Sequence, residues 1–345
     1  MIIRLLLIIL TPLLLAPCSA NTEPLVLLNW ADYMDPEVLI EFKKQTGIEV
    51  KEVFFDSDES RDDLMASSSG KGYDLIISNG LAIDKYQKQN WLQPIPSPAP
   101  SNFKNIDKRW LEAFPSSNEY AVPFFWGTLG IAYRSDLVKT PITQWQDIFQ
   151  PNEELKGKIT LMNSAREVVA ASLKSLGYSS NSSDKKEFSA AIKAMQQQAP
   201  YVNSYNYVDI DETSSLLTGE TLAAMMYSGD ALTLQELNEN IQYVLPQEGG
   251  NIWVDYFIVP SSSTQKENAW RFINFLNQPV IAARLAEYLY YASPNREARK
   301  LLDQDFLSNP IIFPNQELLK NSEFFRPLPA RNLKKLTKSF QQLVK

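Results

Sequence analysis

Residues 25–77 read LVLLNWADYMDPEVLIEFKKQTGIEVKEVFFDSDESRDDLMASSSGKGYDLII, and this stretch decides the fold. Leu25–Asn29 is a short apolar run of the buried-strand type. Asp35 and Pro36 then supply an N-cap and a first-turn proline, Glu37–Thr46 carries a helix, and Gly47 stops it. Ile48–Phe54 reads as a second strand, Arg61–Ser67 as a second helix and Asp74–Ile77 as a third strand. Strand, helix, strand, helix, strand with short connections predicts a parallel sheet, because parallel neighbours need a crossover element between them. The fold class is therefore α/β.

The theme recurs further along. Ile159–Met162 is read as a strand, followed by a helix from Ala165 to Leu176 stopped at Gly177. Thr221–Met226 and Ala231–Leu237 form another strand–helix pair. Asn251–Pro260 (NIWVDYFIVP) is a longer apolar strand, and Lys266–Asn277 and Pro279–Leu289 are helices. The tail, Gln316–Lys345, reads as mostly polar helix, and Pro94–Pro100 (PIPSPAP) as a stiff surface connection. With 345 residues, two α/β units are expected, each able to bury a core.

Composition excludes more than it suggests. The chain has 44% hydrophobic and 21% charged residues, ordinary for a globular protein. With 33 Lys+Arg against 40 Asp+Glu the net charge is −7, and no basic block suits a nucleic acid. There is no histidine and one cysteine, Cys18. That removes histidine-based nucleophile activation, histidine acid–base catalysis, His-ligated zinc and any disulfide framework. No cofactor motif is present: Ser69-Gly70-Lys71-Gly72 lacks the leading glycine and the Ser/Thr of a phosphate loop. Asp56-x-Asp58-x-Ser60 begins like a calcium loop, but Arg61 stands where glycine is needed. Met1–Ala20 has the form of a secretory signal, with Arg4, an apolar run Leu5–Leu15 and small residues up to Ala20. Leu15-Ala16-Pro17-Cys18 offers the alternative of a lipid-modified Cys18, with Pro17 a poor residue before such a cysteine. Either reading exports the protein, periplasmic in the first case.

In α/β sheets ligands sit beyond the carboxyl ends of strands. The residues placed there are Asn29, Trp30, Asp32 and Tyr33 after the first strand and Asn79 after the third. Ser164 and Glu167 follow the Ile159 strand, Tyr227 and Asp230 the Thr221 strand. Trp253 and Asp255 lie in the Asn251 strand, and Tyr291 follows a helix. Each has a bland alternative: Ser164 and Glu167 fit a capping box, Asp230 an N-cap, Asp32 a turn, Trp253 a core position. Caps do not explain aromatics beside carboxylates at so many strand ends, with Arg166 the one basic residue among them. Aromatic faces with carboxylates suit an organic cation. Each ammonium has three donors to satisfy, and a Trp or Tyr face adds about 0.5–2 kcal/mol of cation–π attraction.

On these residues the chain resembles the periplasmic spermidine/putrescine-binding proteins of polyamine ABC transporters. The likeness runs from Leu25 to Arg299 and is carried by Asn29–Tyr33 (NWADY), Lys44–Gly47 (KQTG), Tyr73–Ile77 (YDLII), Val122–Gly127 (VPFFWG), Ala165–Val168 (AREV), Gly249–Asp255 (GGNIWVD) and Ala292–Lys300 (ASPNREARK). The resemblance implies a two-lobed type II periplasmic binding fold, each lobe a mixed, mostly parallel sheet flanked by helices, with ligand in the interlobe cleft. It implies residues 22–127 plus 255–301 as one lobe and 128–254 plus 302–345 as the other. It also implies aromatic walls at Trp30, Tyr33, Trp253 and Tyr291, pocket carboxylates at Glu167 and Asp255, and the acids Asp32 and Asp230 of the putrescine-preferring branch. Tyr227 stands where the family usually has Trp. Ser164 replaces an amine-pairing Asp of the spermidine-preferring branch, Asn79 a Ser, Leu81 an aromatic and Phe325 a polar group. The implied ligand is a polyamine and the implied partner a transporter permease, or a membrane receptor if the protein acts as a polyamine sensor.

Overall fold

A computed structural model describes residues 23–344. The signal-type segment and Cys18 lie outside these residues. Strand β1 (Leu25–Trp30) pairs in parallel with β2 (Val50–Phe55) on one side and β3 (Leu75–Asn79) on the other. The crossovers are α1 (Pro36–Thr46) and α2 (Asp58–Ser68). Asp35 accepts from the Glu37 N–H, Pro36 opens α1, and Gly47 closes it at φ +76°, as the residue types predict. The second helix starts three residues before its expected position. Ser57 and Ser60 bond each other's backbone N–H there in a reciprocal cap. Asn79 then caps α3 (Gly80–Lys88).

The next strand, β4 (Ala121–Arg134), is buried throughout and joins everything else. Its first part, Ala121–Thr128, pairs antiparallel with β9 (Ile252–Ile258), which lies beside β3. Its second part, Leu129–Arg134, pairs antiparallel with β7 (Ala223–Tyr227) and β8 (Ile241–Val244). Beyond β7 come β5 (Ile159–Thr160) and β6 (Val202–Ser204), both parallel. The ladder order is β2-β1-β3-β9-β4-β7-β5-β6, with β8 on β4. Outer strands are thus parallel within each half, and the antiparallel pairs are those made by the connecting strands β4 and β9.

A core forms on each side. Phe42, Phe257, Phe272 and Leu285 pack in the first half; Trp145, Phe149, Val168 and Met195 pack in the second. Gly130 in β4 has a steric reason, since a Cβ would stand 2.3 Å from the Val244 carbonyl oxygen. Two further expectations are corrected. The strand at Ile159–Met162 is only Ile159–Thr160. The polar tail is two helices, Gln316–Lys320 and Ala330–Leu343, separated by a stretch with Pro327 and Pro329 that cannot continue a helix. The second of these lays Leu336 and Phe340 onto the second core, whereas Leu302 and Ile312 join clusters of the first half.

Candidate functional site

The half-sheets meet along β4 and β9, and the strand ends on both sides of that seam face one cleft. From the first half come Tyr33, after β1, Asp255 on β9, and Tyr291 after the helix Pro279–Leu289, with Trp253 of β9 at the seam itself, opposite Gly127. Trp253 and Asp255 are two apart on a strand and so share a face. From the second half come Glu167, in the first turn of the helix Ala165–Ser175, and Tyr227 and Asp230, at the junction of β7 with the helix Ser228–Leu237.

Five rings run in sequence across this cleft. Tyr33 meets Tyr291 at 6.1 Å, Tyr291 meets Trp253 at 4.8 Å, Trp253 meets Tyr227 at 5.8 Å, and Tyr227 meets Tyr207 at 5.8 Å. The contacts made by Trp253 are edge-to-face, at interplanar angles of 75° and 84°. Gly229 permits the approach of Tyr291, because a Cβ there would lie 2.5 Å from the ring.

Three carboxylates stand among the rings. Asp230 accepts from the Tyr291 hydroxyl at 2.7 Å and from the Tyr207 hydroxyl. Glu167 accepts from the Tyr227 hydroxyl at 2.6 Å and from Ser164. Asp255 faces the Tyr33 hydroxyl. Among the described residues, none of the three has an ion-pair partner. Each is surrounded by protein yet keeps surface open to the cleft. Burial pushes Glu167 up to about 7, against hydrogen bonds from Tyr227 and Ser164 that lower it. Burial, with the charge of Asp58 beside it, pushes Asp255 up to about 7 as well, and burial raises Asp230. The phenols of Tyr33, Tyr207, Tyr227 and Tyr291 are held well above the usual range, first by burial and then by the neighbouring carboxylates. They stay protonated and act as donors. Among the lining residues, the Tyr33 hydroxyl and Trp253 Nε1 are buried without a hydrogen-bond partner within normal length. An unpaired buried polar group costs about 1–3 kcal/mol, and the Tyr33 phenol oxygen, which can accept as well as donate, can recover part of it by accepting from a ligand N–H.

The other expected residues divide. Ser164 ends up as the N-cap residue of its helix but makes no side-chain cap, so the capping-box alternative does not form. Asp230 is not an N-cap either; Tyr227 occupies that position. Trp30 packs on Phe55 at 4.3 Å, on the rim of the first core rather than in the series of rings. Asp32 occupies a turn at φ +54° and is exposed, with its charge felt by Glu52, so here the turn reading describes it. Asn79 caps α3 and donates to Asp58 Oδ2 at 2.6 Å, one register position from the pocket as the partner of Asp255. Arg166 turns away: it donates to the Ser180 carbonyl and Asn181, and stacks on Phe325 at 4.0 Å. Tyr207 is a residue that sequence reasoning missed. Its hydroxyl bonds Asp230 and accepts the Tyr227 N–H at 3.1 Å. It lies in an irregular segment, and no strand end marked it.

Two α/β halves linked by shared strands, with an acidic, aromatic-walled cleft between them, define a two-lobed solute-binding protein. The chain belongs to the bacterial extracellular solute-binding protein family, whose profile it matches over residues 37–314. It is 33% identical over 306 residues to the spermidine/putrescine-binding periplasmic protein of Escherichia coli, covering 88% of this chain and 87% of that one. It is 30% identical over 306 residues to the norspermidine sensor of Vibrio cholerae, covering 88% and 84%. Among solved structures, the spermidine/putrescine ABC transporter substrate-binding protein PotD of Streptococcus pneumoniae superposes with a TM-score of 0.81 at 31% identity, over 93% of this chain and 98% of that one. The resemblance and the two-lobed fold read from the sequence are both borne out.

Proposed function

We propose that the protein is exported and binds a polyamine of the putrescine or spermidine type in the interlobe cleft, delivering it to the permease of an ABC transporter. The observation that carries this reading is the set of three carboxylates without cationic partners, enclosed by rings. Buried charge is stable only when paired, and an alkyl diamine brings both the positive ends and an apolar stem for the rings. The spermidine/putrescine-binding names of the relatives support the same ligand class. We assign residues 22–127 plus 255–301 to one lobe and 128–254 to the other, with 302–345 divided between them: Leu302 and Ile312 pack on the first, Leu336 and Phe340 on the second. The chain crosses between them near Gly127–Thr128, where β4 changes partners, and near Val254–Asp255. Ligand bridging Asp255 on one lobe and Glu167 and Asp230 on the other favours the closed arrangement, which the permease then recognises. The protein transforms nothing: polyamine incubated with it is expected back unchanged.

Calorimetric titration of the ligand-stripped mature protein with putrescine, norspermidine and spermidine tests the reading. One-to-one exothermic binding to at least one of them is expected, and heat from none would sink it. Gly229→Ala, which drives a methyl into the Tyr291 ring, is expected to weaken that binding about tenfold by pushing Tyr291 off Asp230. Wild-type affinity in that variant would remove Tyr291 from the site.

The similarity to a norspermidine sensor favours a second reading, presentation of the liganded form to a membrane receptor. A deletion strain separates the two: loss of polyamine uptake supports transport, and normal uptake with a lost polyamine response supports sensing.

A further inference from the structure

Because α2 begins at Asp58, this acid occupies the first turn of a helix whose N-terminal end is tied through Asn79 to the β3–β9 pair that carries Asp255. One of its oxygens takes the guanidinium of the fully buried Arg61, and the other accepts from Asn79. Asn79 in turn lies opposite Asp255 in the β3–β9 register. Each carboxylate oxygen therefore keeps a further lone pair, and the side chain remains 46% exposed. The charge of Asp58 reaches Asp255 on its own side and both Glu167 and Tyr227 on the other. A fourth carboxylate thus borders the cleft, although Arg61 below it would make it look like half of an ordinary i,i+3 ion pair. A separate feature indicates a ligand in the same place. Tyr33 is about nine-tenths buried, and its hydroxyl oxygen, beside Asp255, makes no hydrogen bond within normal length and has its lone pairs free to accept from an ammonium.

We propose that Asp58 is a ligand-binding carboxylate that, with Glu167 across the cleft, holds one ammonium of the bound dication, leaving the remainder to Asp255 and Asp230. This deepens the polyamine reading above and depends on it. An ammonium shared by Asp58 and Glu167 replaces a repulsion between the two lobes with a bridge. Arg61 and Asn79 fix the orientation of Asp58 without filling it, so the acid is presented and not free to swing away.

Titration of wild type, Asp58→Asn and the double variant Asp58→Asn/Ser164→Asp with putrescine, alongside thermal melts of each, tests this. Asparagine keeps one acceptor oxygen for Arg61, which also retains Asp62, and gives up the acceptor for Asn79. The single variant is expected to lose at least about tenfold in affinity with a melting temperature within a few degrees of wild type. Ser164 bonds Glu167, so an acid placed there returns a carboxylate to the same ammonium from the other lobe. The double variant is expected to recover most of the lost affinity. Unchanged putrescine affinity in Asp58→Asn would overturn the assignment, as would a loss that Ser164→Asp does not restore, which would mark Asp58 as purely structural. Should Asp58→Asn not fold, carboxyl-carbon NMR of wild type decides: the Asp58 resonance is expected to move on saturation with putrescine, and a stationary one would overturn the proposal. If wild type itself binds no polyamine, the reading under Proposed function fails first and this one with it. Binding by wild type that Asp58→Asn leaves intact removes this one alone.

Discussion

Replacing Asp255 with asparagine is expected to weaken polyamine binding by about 30- to 150-fold while raising the melting temperature of the ligand-free protein. The first effect is the loss of a buried charged partner, about 2–3 kcal/mol. The second follows from the electrostatics of the empty cleft. Burial and the charge of Asp58 both oppose ionisation of Asp255, raising it from 3.8 to about 7. Near neutral pH the empty protein therefore carries a carboxylate that would be better solvated in the unfolded chain, and the amide relieves that cost. A substitution that damages function and stabilises the fold is the signature of a group placed for a ligand and not for the protein's own stability. Calorimetric titration and a thermal melt of one variant measure both. Unaltered affinity, or a lower melting temperature together with lost binding, would contradict the assignment.

Binding is also expected to release protons and to tighten as pH rises. Glu167 and Asp255 are both raised to about 7, from 4.5 and 3.8. For groups raised on folding, the associated stability is fully present below their unfolded values and is lost as pH climbs through about 7, so the empty protein becomes less stable between about pH 4 and 7. A dication reverses the preference, since it favours the ionised carboxylates. At pH 6 its binding displaces up to two protons, and affinity rises with pH by up to about two decades per unit before flattening above pH 7. Alkylammonium groups keep their charge across this range, as do the phenol protons of the lining tyrosines. Titrations in two buffers of different ionisation enthalpy read the proton count directly. Equal affinity at pH 5.5 and pH 8 would mean that these carboxylates do not face the ligand.

Much of this was legible in residue types and spacing. The Asp35-Pro36 start and Gly47 stop of α1 appear where the sequence places them, and the β1-α1-β2-α2-β3 order follows from hydrophobic runs of strand length. Trp253 and Asp255 could be paired because strand geometry puts alternate residues on one face. What escaped was set by partners distant in sequence. Strand β4 was hidden by Pro123, Gly127 and Gly130, which normally argue against a buried central strand. The structure tolerates the proline at a register shift, and both glycines where another strand or a ring comes close. Tyr207 carried no local signal, since its role exists only once Asp230 and Tyr227 are brought to it. Asp58 was obscured by a helix start placed at Arg61; the Ser57–Ser60 cap, which a sequence can suggest, was the clue that would have exposed it.

The strand β4 has a mechanical meaning beyond its topology. It is one unbroken polypeptide ribbon whose two ends are clamped into different sheets, with β9 lying alongside its first half. Such a ribbon behaves as a torsion bar: it stores and returns a twist about its own length while its interstrand bonds stay intact. Reorientation of one lobe against the other is then elastic, without the breaking and remaking of a packed interface. Capture and release can accordingly repeat many times on a frame that stays folded throughout.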